Sequence, residues 1–261
     1  MNKKTYSDEE LILRVIAIEE IKKVVHRRVY YMANEMREEE LLDLWVSDPK
    51  YQDTASFGRN TGYYVGMRNI KEYYVNKHIE DRRAQLLAIS KENPEIENTA
   101  ENLHIGCMVN HPVSTGLVEL AGDGKTAKGL FYSIAQETTA QPNGTATALW
   151  MPGKVAFDFV KEADGWKIWH LVDSTDLVGE AGEDYSKQPI YHNYETNPVD
   201  VEFGTPTIKK LIHNTDFNWW DNYPPMPEPY ETWSDEISYG PEGFKEPENY
   251  GLRSKEGRNW R

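Results

Sequence analysis

The stretch "VAFDFVKEADGWKIWHLVDSTD", residues 155–176, decides how the chain is read. Val155, Phe157 and Phe159 alternate with other residues, "EADG" is a turn signal, and Trp166 and Ile168 resume the two-residue period. Two such runs joined by a tight turn predict an antiparallel hairpin. The same alternation puts His170 on the face of Trp166 and Ile168, where an apolar residue would be cheaper to bury. An imidazole there is either a core histidine satisfied by a backbone carbonyl or a general acid/base, since it titrates near neutrality. Asp173 falls on the opposite face by parity, toward the rim.

Working outward, "NLHIGCMV", "TAKGLFYSIAQETT" and "TATALWMPGKVAFDFVKE" also read as extended, separated by the turn signals "AGDGKT" and "QPNGT". Upstream the period changes. Ser7 and Glu10 form a capping-box pattern, and Ile18, Ile21, Val25, Val29, Met32 and Met36 recur at helical spacing. "REEELLDLW" predicts a second helix and "KYQDTASF" a short strand. "MRNIKEYYVNKHIEDRRAQLLAI" predicts a third helix, broken once and ending near Pro94. Helices followed by strands give an α+β order.

The chain has 261 residues and 39% hydrophobic content, enough for a sizeable core. A net charge of −14 with no basic stripe argues against nucleic-acid or anionic-membrane partners. Cys107 is the single cysteine, so no internal disulfide and no cysteine-rich metal cluster is expected. "MNKKTYSDEE" lacks the apolar stretch of a signal peptide, and the expected location is cytoplasmic. From about Val178 the sequence turns rich in Pro, aromatic and acidic residues. This divides the chain into a domain over residues 1–178 and an extended arm over 179–261. Trp219, Trp220, Tyr223, Tyr230 and Trp233 need somewhere to pack, so the arm is expected on the core or on a neighbouring subunit.

In order, "IEEIKKVVHRRVYYMANEMREEELLDLW", "YQDT", "GYYVGMRNIKEYY", "AGDGKTAKG" and "VAFDFVKEADGWKIWHL" resemble the SnoaL-like branch of the nuclear-transport-factor-2-like superfamily. Ketosteroid isomerase, scytalone dehydratase, bile-acid dehydratase and polyketide cyclases share that fold. The most specific pieces are Gly62, Gly66 and Ile70 in a G-x-x-x-G-x-x-x-I pattern and the "DGWKI" ending. The resemblance covers roughly residues 10–176. It implies a cone: a strongly curved antiparallel sheet wrapped around N-terminal helices, closed at one end and open at the other. It also implies that His170 points into a pocket near the mouth, and that the outer sheet faces pair to give a dimer or trimer.

The resemblance further places a pocket histidine at His104, with His111 as competitor because Pro112 breaks the segment they share. Asp53 in "YQDT" occupies the position of a frequent catalytic acid, and Tyr30 that of an oxyanion donor. His26 shares the face of Tyr30, with Tyr31 on the other flank. Phe131 and Phe157 would line or fill the cone. The implied activity is that of a cofactor-independent dehydratase or isomerase, His170, His104, Asp53 and Tyr30 acting on a hydrophobic ring-containing molecule. Its steroid-like, phenolic or polyketide identity stays open. An aldol-type polyketide cyclase and a non-catalytic binding or assembly module are the alternatives. Lys154 shares the outer face with Trp150, a poor place for a Schiff base, and "GDGKT" joins two strands, so it is a hairpin turn and no phosphate loop. No His-x-His or His-x-x-x-His pair suggests a metal, and none is expected.

Overall fold

The computed structural model describes residues 5–60, 62–176, 179–182, 208–209 (backbone only) and 224–243. Helix α1 (Asp8–Ala33) starts at the reciprocal capping box of Ser7 and Glu10. Its inward stripe is Ala17, Ile21, Val24, Val25, Arg28 and Met32, with Ile18 packed at the margin and Met36 exposed beyond the end. Helix α2 (Arg37–Leu44) follows. "KYQD", expected to be extended, instead enters the short helix α3 (Pro49–Gln52), because Asp48 caps it and Pro49 sits in its first turn. The strand starts later, as β1 (Ser56–Arg59), and hairpins onto β2 (Gly62–Val65).

The expected break in the third helix is a π-helical turn at Glu72–Lys77 between α4 (Met67–Lys71) and α5 (His78–Glu92). This wider turn buries the consecutive residues Tyr73 and Tyr74 together. "NLHIGCMV" is mostly turn, a 3-10 segment at Ala100–Asn102 leading to strand β3 only at Met108–Asn110. Then come β4 (Val113–Leu120), β5 (Thr126–Ala140), β6 (Ala146–Glu162) and β7 (Gly165–Thr175), with two-residue strands β8 (Gly179–Glu180) and β9 (Ile208–Lys209).

The sheet is open and mixed, in the order β3-β5-β6-β7-β1-β2-β9, with β4 on β5 and β8 on β6. All these pairings are antiparallel except β1 with β7. Phe131, Val155, Phe157, Phe159, Ile168 and Leu171 form its inner face and pack with α1 and the π turn in one cluster. The layout is the expected α+β cone, a curved, unclosed sheet around N-terminal helices.

The hairpin of residues 155–176 contains one departure from the period-two pattern. Phe159 pairs with Ile168 but Asp158 pairs with His170, so Trp169 is an extra residue in β7. The bulge reverses parity beyond it. Leu171 therefore joins the inner core, and His170 turns to the outer face beside Asp158.

That outer face is covered in part by the chain's own C-terminal region, on the surface where subunit pairing was implied. Tyr239 packs there with Tyr63, Leu130, Ala156 and Val172, while Trp233 lies on Trp169 at a centroid distance of 4.4 Å. Gly122 and Asp123 donate backbone hydrogen bonds to the carbonyls of Tyr230 and Glu231. Trp219, Trp220 and Tyr223 lie outside the described residues.

Candidate active site

A cavity of about 360 Å³ lies between the helices and the inner face of the sheet. Its apolar wall is Met32 from α1, Phe57 from β1, Tyr73, and Leu149 and Met151 from β6. Its polar wall comes from Arg37, Arg59, Tyr74, His78, Asp81, Arg82, Gln85, His111, Glu137, Thr139 and Asp173. Strand parity explains the strand contributions: Glu137 and Thr139 follow Phe131 on the inner face of β5, and Asp173 follows Leu171 beyond the bulge. Asp173, expected at the rim on the opposite face, thus lines the cavity and pairs with Arg59 at 3.4 Å.

His111 is carried by the break between β3 and β4, where the edge of β5 passes from one strand to the other at Pro112. There its Nε2 lies 2.7 Å from Glu137 Oε1. Burial would raise the Glu137 pKa, but the hydrogen bond from His111 and the charges of His111, Arg37 and Arg59 outweigh it and hold the carboxyl below its usual range. The Nε2–H of His111 donates to the Glu137 carboxylate, which orients the ring and leaves Nδ1 as its other nitrogen. Nδ1 is buried and has no hydrogen-bond partner among the described residues.

A second histidine–carboxylate pair stands in the same wall. His78, the first residue of α5, has Nε2 2.7 Å from Glu35 Oε2. Glu35 follows the C-cap of α1 with φ of 56°, and the bonds Glu35 N–H to Met32 O and Met36 N–H to Tyr31 O close a Schellman motif. Glycine is the usual residue there; the glutamate instead delivers its carboxylate among His78, Arg37 (3.2 Å), Arg82 (3.7 Å) and His104 (3.8 Å). Burial opposes its charge, yet the His78 hydrogen bond and the two guanidiniums bring its pKa down to about 2. Burial lowers His78 and His104, with Arg37 and Arg82 acting in the same direction against Glu35.

Beneath the cavity floor, Glu40 is fully buried, accepting hydrogen bonds from Tyr74 Oη at 2.6 Å and Trp45 Nε1 at 3.3 Å and facing Arg28. Desolvation raises its pKa.

Glu35, His78 and His104 bring ligand-type atoms within 4.8 Å of one another. Their carboxylate is already shared by Arg37 and Arg82, whose charges would repel a divalent cation at that spot. The group reads as an ion-pair network that fixes His78.

Of the residues singled out from sequence, His111 lines the cavity. His104 sits in the turn before β3, behind His78 at a ring distance of 6.4 Å, since that segment is not a regular strand. Tyr30 is 71% exposed and His26 is exposed, because the inward stripe of α1 runs along the opposite side. Tyr31 bonds Asp43 through its hydroxyl. Asp53 is exposed where α3 ends. Phe131 and Phe157 meet edge-to-face inside the packed core, away from the cavity lining.

His170 lies in a closed network on the outer face. Its Nδ1 is 2.8 Å from Asp158 Oδ2 and 3.1 Å from Ser238 Oγ, and its Nε2 is 3.2 Å from the Thr54 carbonyl. Serine and aspartate share one ring nitrogen, so these three residues lack the relay geometry of a catalytic triad, in which opposite ring nitrogens face the two partners. His170 is not among the residues that line the cavity.

Residues 14–172, more than half of the chain, match the SnoaL-like domain family, and the protein belongs to it. Comparison with curated proteins finds no significant match. Similar solved structures include the hexachlorocyclohexane dehydrochlorinase LinA-type3 from Novosphingobium barchaimii LL02 (12% identity, 70% of this chain, 100% of that chain, TM-score 0.44). A candidate scytalone dehydratase from Novosphingobium aromaticivorans DSM 12444 shares 12% identity over 66% of this chain and 91% of its own, with TM-score 0.44. An NTF2-like protein with a cystatin-like fold, also from N. aromaticivorans, shares 14% over 67% and 92%, with TM-score 0.39. Among the described residues no helix is long and apolar enough to cross a membrane.

Proposed function

We propose that this protein is a cofactor-independent acid/base enzyme, a dehydratase or isomerase for a small, hydrophobic, ring-containing molecule. The observation that carries the reading is the His111–Glu137 pair, 2.7 Å apart in the wall of the cavity. Glu137 orients the imidazole, and the pair takes a proton from substrate. Met32, Phe57, Tyr73, Leu149 and Met151 supply the apolar surface for the ring. The volume falls at the small end of the range of about 300–1,000 Å³ typical of ligand pockets.

The test is turnover of a panel of cyclic hydroxy-ketones and phenols, read as loss of water or as movement of a double bond. His111→Asn and Glu137→Gln should each lower kcat by about a hundredfold or more while thermal melting stays cooperative. Full activity in a folded His111→Asn variant would remove the pair from the mechanism. A panel that binds in the cavity but never turns over would favour the non-catalytic module.

A further inference from the structure

The cavity carries more than the histidine pair. Three guanidiniums, Arg37, Arg59 and Arg82, face three carboxylates, Asp81, Glu137 and Asp173, in its wall. Asp173 is paired with Arg59, Asp81 with Lys77 and Glu137 with His111, while Glu35 behind the wall holds His78. The site thus has no positive excess with which to attract an anion. Its guanidiniums nevertheless differ in what they have left to give. Arg59 is turned to Asp173, and Arg82 spends Nη1 on Gln85 Oε1 and Cys107 Sγ.

Arg37 meets Glu35 through Nε at 3.2 Å, and Nη1 and Nη2 make no hydrogen bond to a described residue. Neither atom is sealed from solvent, although the side chain as a whole is only 13% exposed. The guanidinium stands 4.8 Å over the Tyr74 ring and meets Glu35 through Nε, so it is pinned on one edge and open on the other. It lines the same cavity as His111 and Glu137, and its charge helps to hold Glu137 ionised.

We infer that Arg37 binds the oxygen of a neutral, ring-bearing carbonyl substrate and stabilises the negative charge which that oxygen gains in the reaction. This rests on the acid/base reading of the cavity. The His111–Glu137 pair takes a proton from the carbon next to the carbonyl. The electron pair of the broken C–H bond forms a carbon–carbon double bond, and the carbonyl pair moves onto oxygen. Arg37 then donates from Nη1 or Nη2 to an enolate. A charge-balanced site favours the neutral ground state, and preorganised donors reward the charge only as it develops. A carboxylate ligand would instead carry its full charge already in the ground state, into a wall that holds the like-charged Asp81, Glu137 and Asp173.

The experiment uses the full-length protein and three probes: 2-naphthol, whose anion resembles an enolate, 2-naphthoate, and 2-methylnaphthalene. Binding is followed by calorimetry and by the absorbance change on ionisation of naphthol across a pH series. The wild type should bind 2-naphthol about tenfold or more tightly than 2-naphthoate and shift its ionisation toward lower pH. Arg37→Met should lose that shift and about tenfold in naphthol affinity, Arg37→Lys should keep part of both, and 2-methylnaphthalene should bind all three forms equally. Preference for 2-naphthoate, an unchanged naphthol ionisation in folded Arg37→Met, or no binding of any probe would overturn the inference. Because no turnover is needed, these outcomes are separate from those of His111→Asn, which tests the acid/base reading itself.

Discussion

His170 Nδ1 and Asp158 Oδ2 stand 2.8 Å apart on the outer face of the sheet, sealed beneath Ser238 and Tyr239. Lys128 completes the row, 2.6 Å from Asp158 Oδ1, donating also to the Ile237 carbonyl and lying 3.5 Å over the Tyr239 ring. Three charged or polar side chains from β5, β6 and β7 thereby anchor the C-terminal region to the sheet. Burial opposes the charge on Asp158, but Lys128 and His170 outweigh it and hold the carboxyl far below its usual range.

Asp158→Asn would leave the Lys128 ammonium buried without its counter-charge. The expected cost is about 3–5 kcal/mol in denaturant unfolding, and Lys128→Met added to Asp158→Asn should recover part of it. His170→Asn should lower the melting temperature while leaving turnover and naphthol binding unchanged. A loss of activity in a His170→Asn protein that is still fully folded at the assay temperature would contradict the placement of that histidine outside the chemistry.

The helix stripe, the strand run and the capping box were legible because each follows from a local period or a local donor. Two features were not. A one-residue bulge at Trp169 has no signature beyond ordinary strand residues, yet it decides that Asp173 faces the cavity and His170 does not. The second is the convergence on Glu35. Its partners His78, Arg82 and His104 lie 43, 47 and 69 residues further along the sequence, in elements whose packing no local pattern specifies. Pro112 did mark the break that sets His111 over Glu137, which is why that residue could be named from sequence.

Glu35 holds a left-handed backbone conformation where glycine is the easier choice. Glu35→Ala and Glu35→Gly both remove the carboxylate and release His78, so both should be less stable than the wild type. They differ in the backbone alone. Glu35→Gly should be the more stable of the two by about 1 kcal/mol, because alanine keeps the strain and glycine relieves it. Equal stabilities in denaturant unfolding would show that the turn relaxes and stores no such cost.

The same carboxylate sets a dependence of stability on pH. Native Glu35 ionises at about 2 against an ordinary value of 4.5, so between those limits the unfolded chain binds more protons than the folded one. Its contribution is therefore complete above the ordinary value and drains away as the pH falls toward 2. Asp158 and Glu137 are displaced in the same direction, so the wild type should lose stability steeply on acidification. Glu35→Gln should be less stable near neutrality by about 2 kcal/mol, allowing for solvent screening at this partly exposed site, and should show a shallower acid slope. Unfolding curves at pH values from about 7 down to 3 measure both. Parallel slopes for the two proteins would mean that Glu35 is not held ionised by His78, Arg37 and Arg82, and the anchoring of His78 in the cavity wall would fall with it.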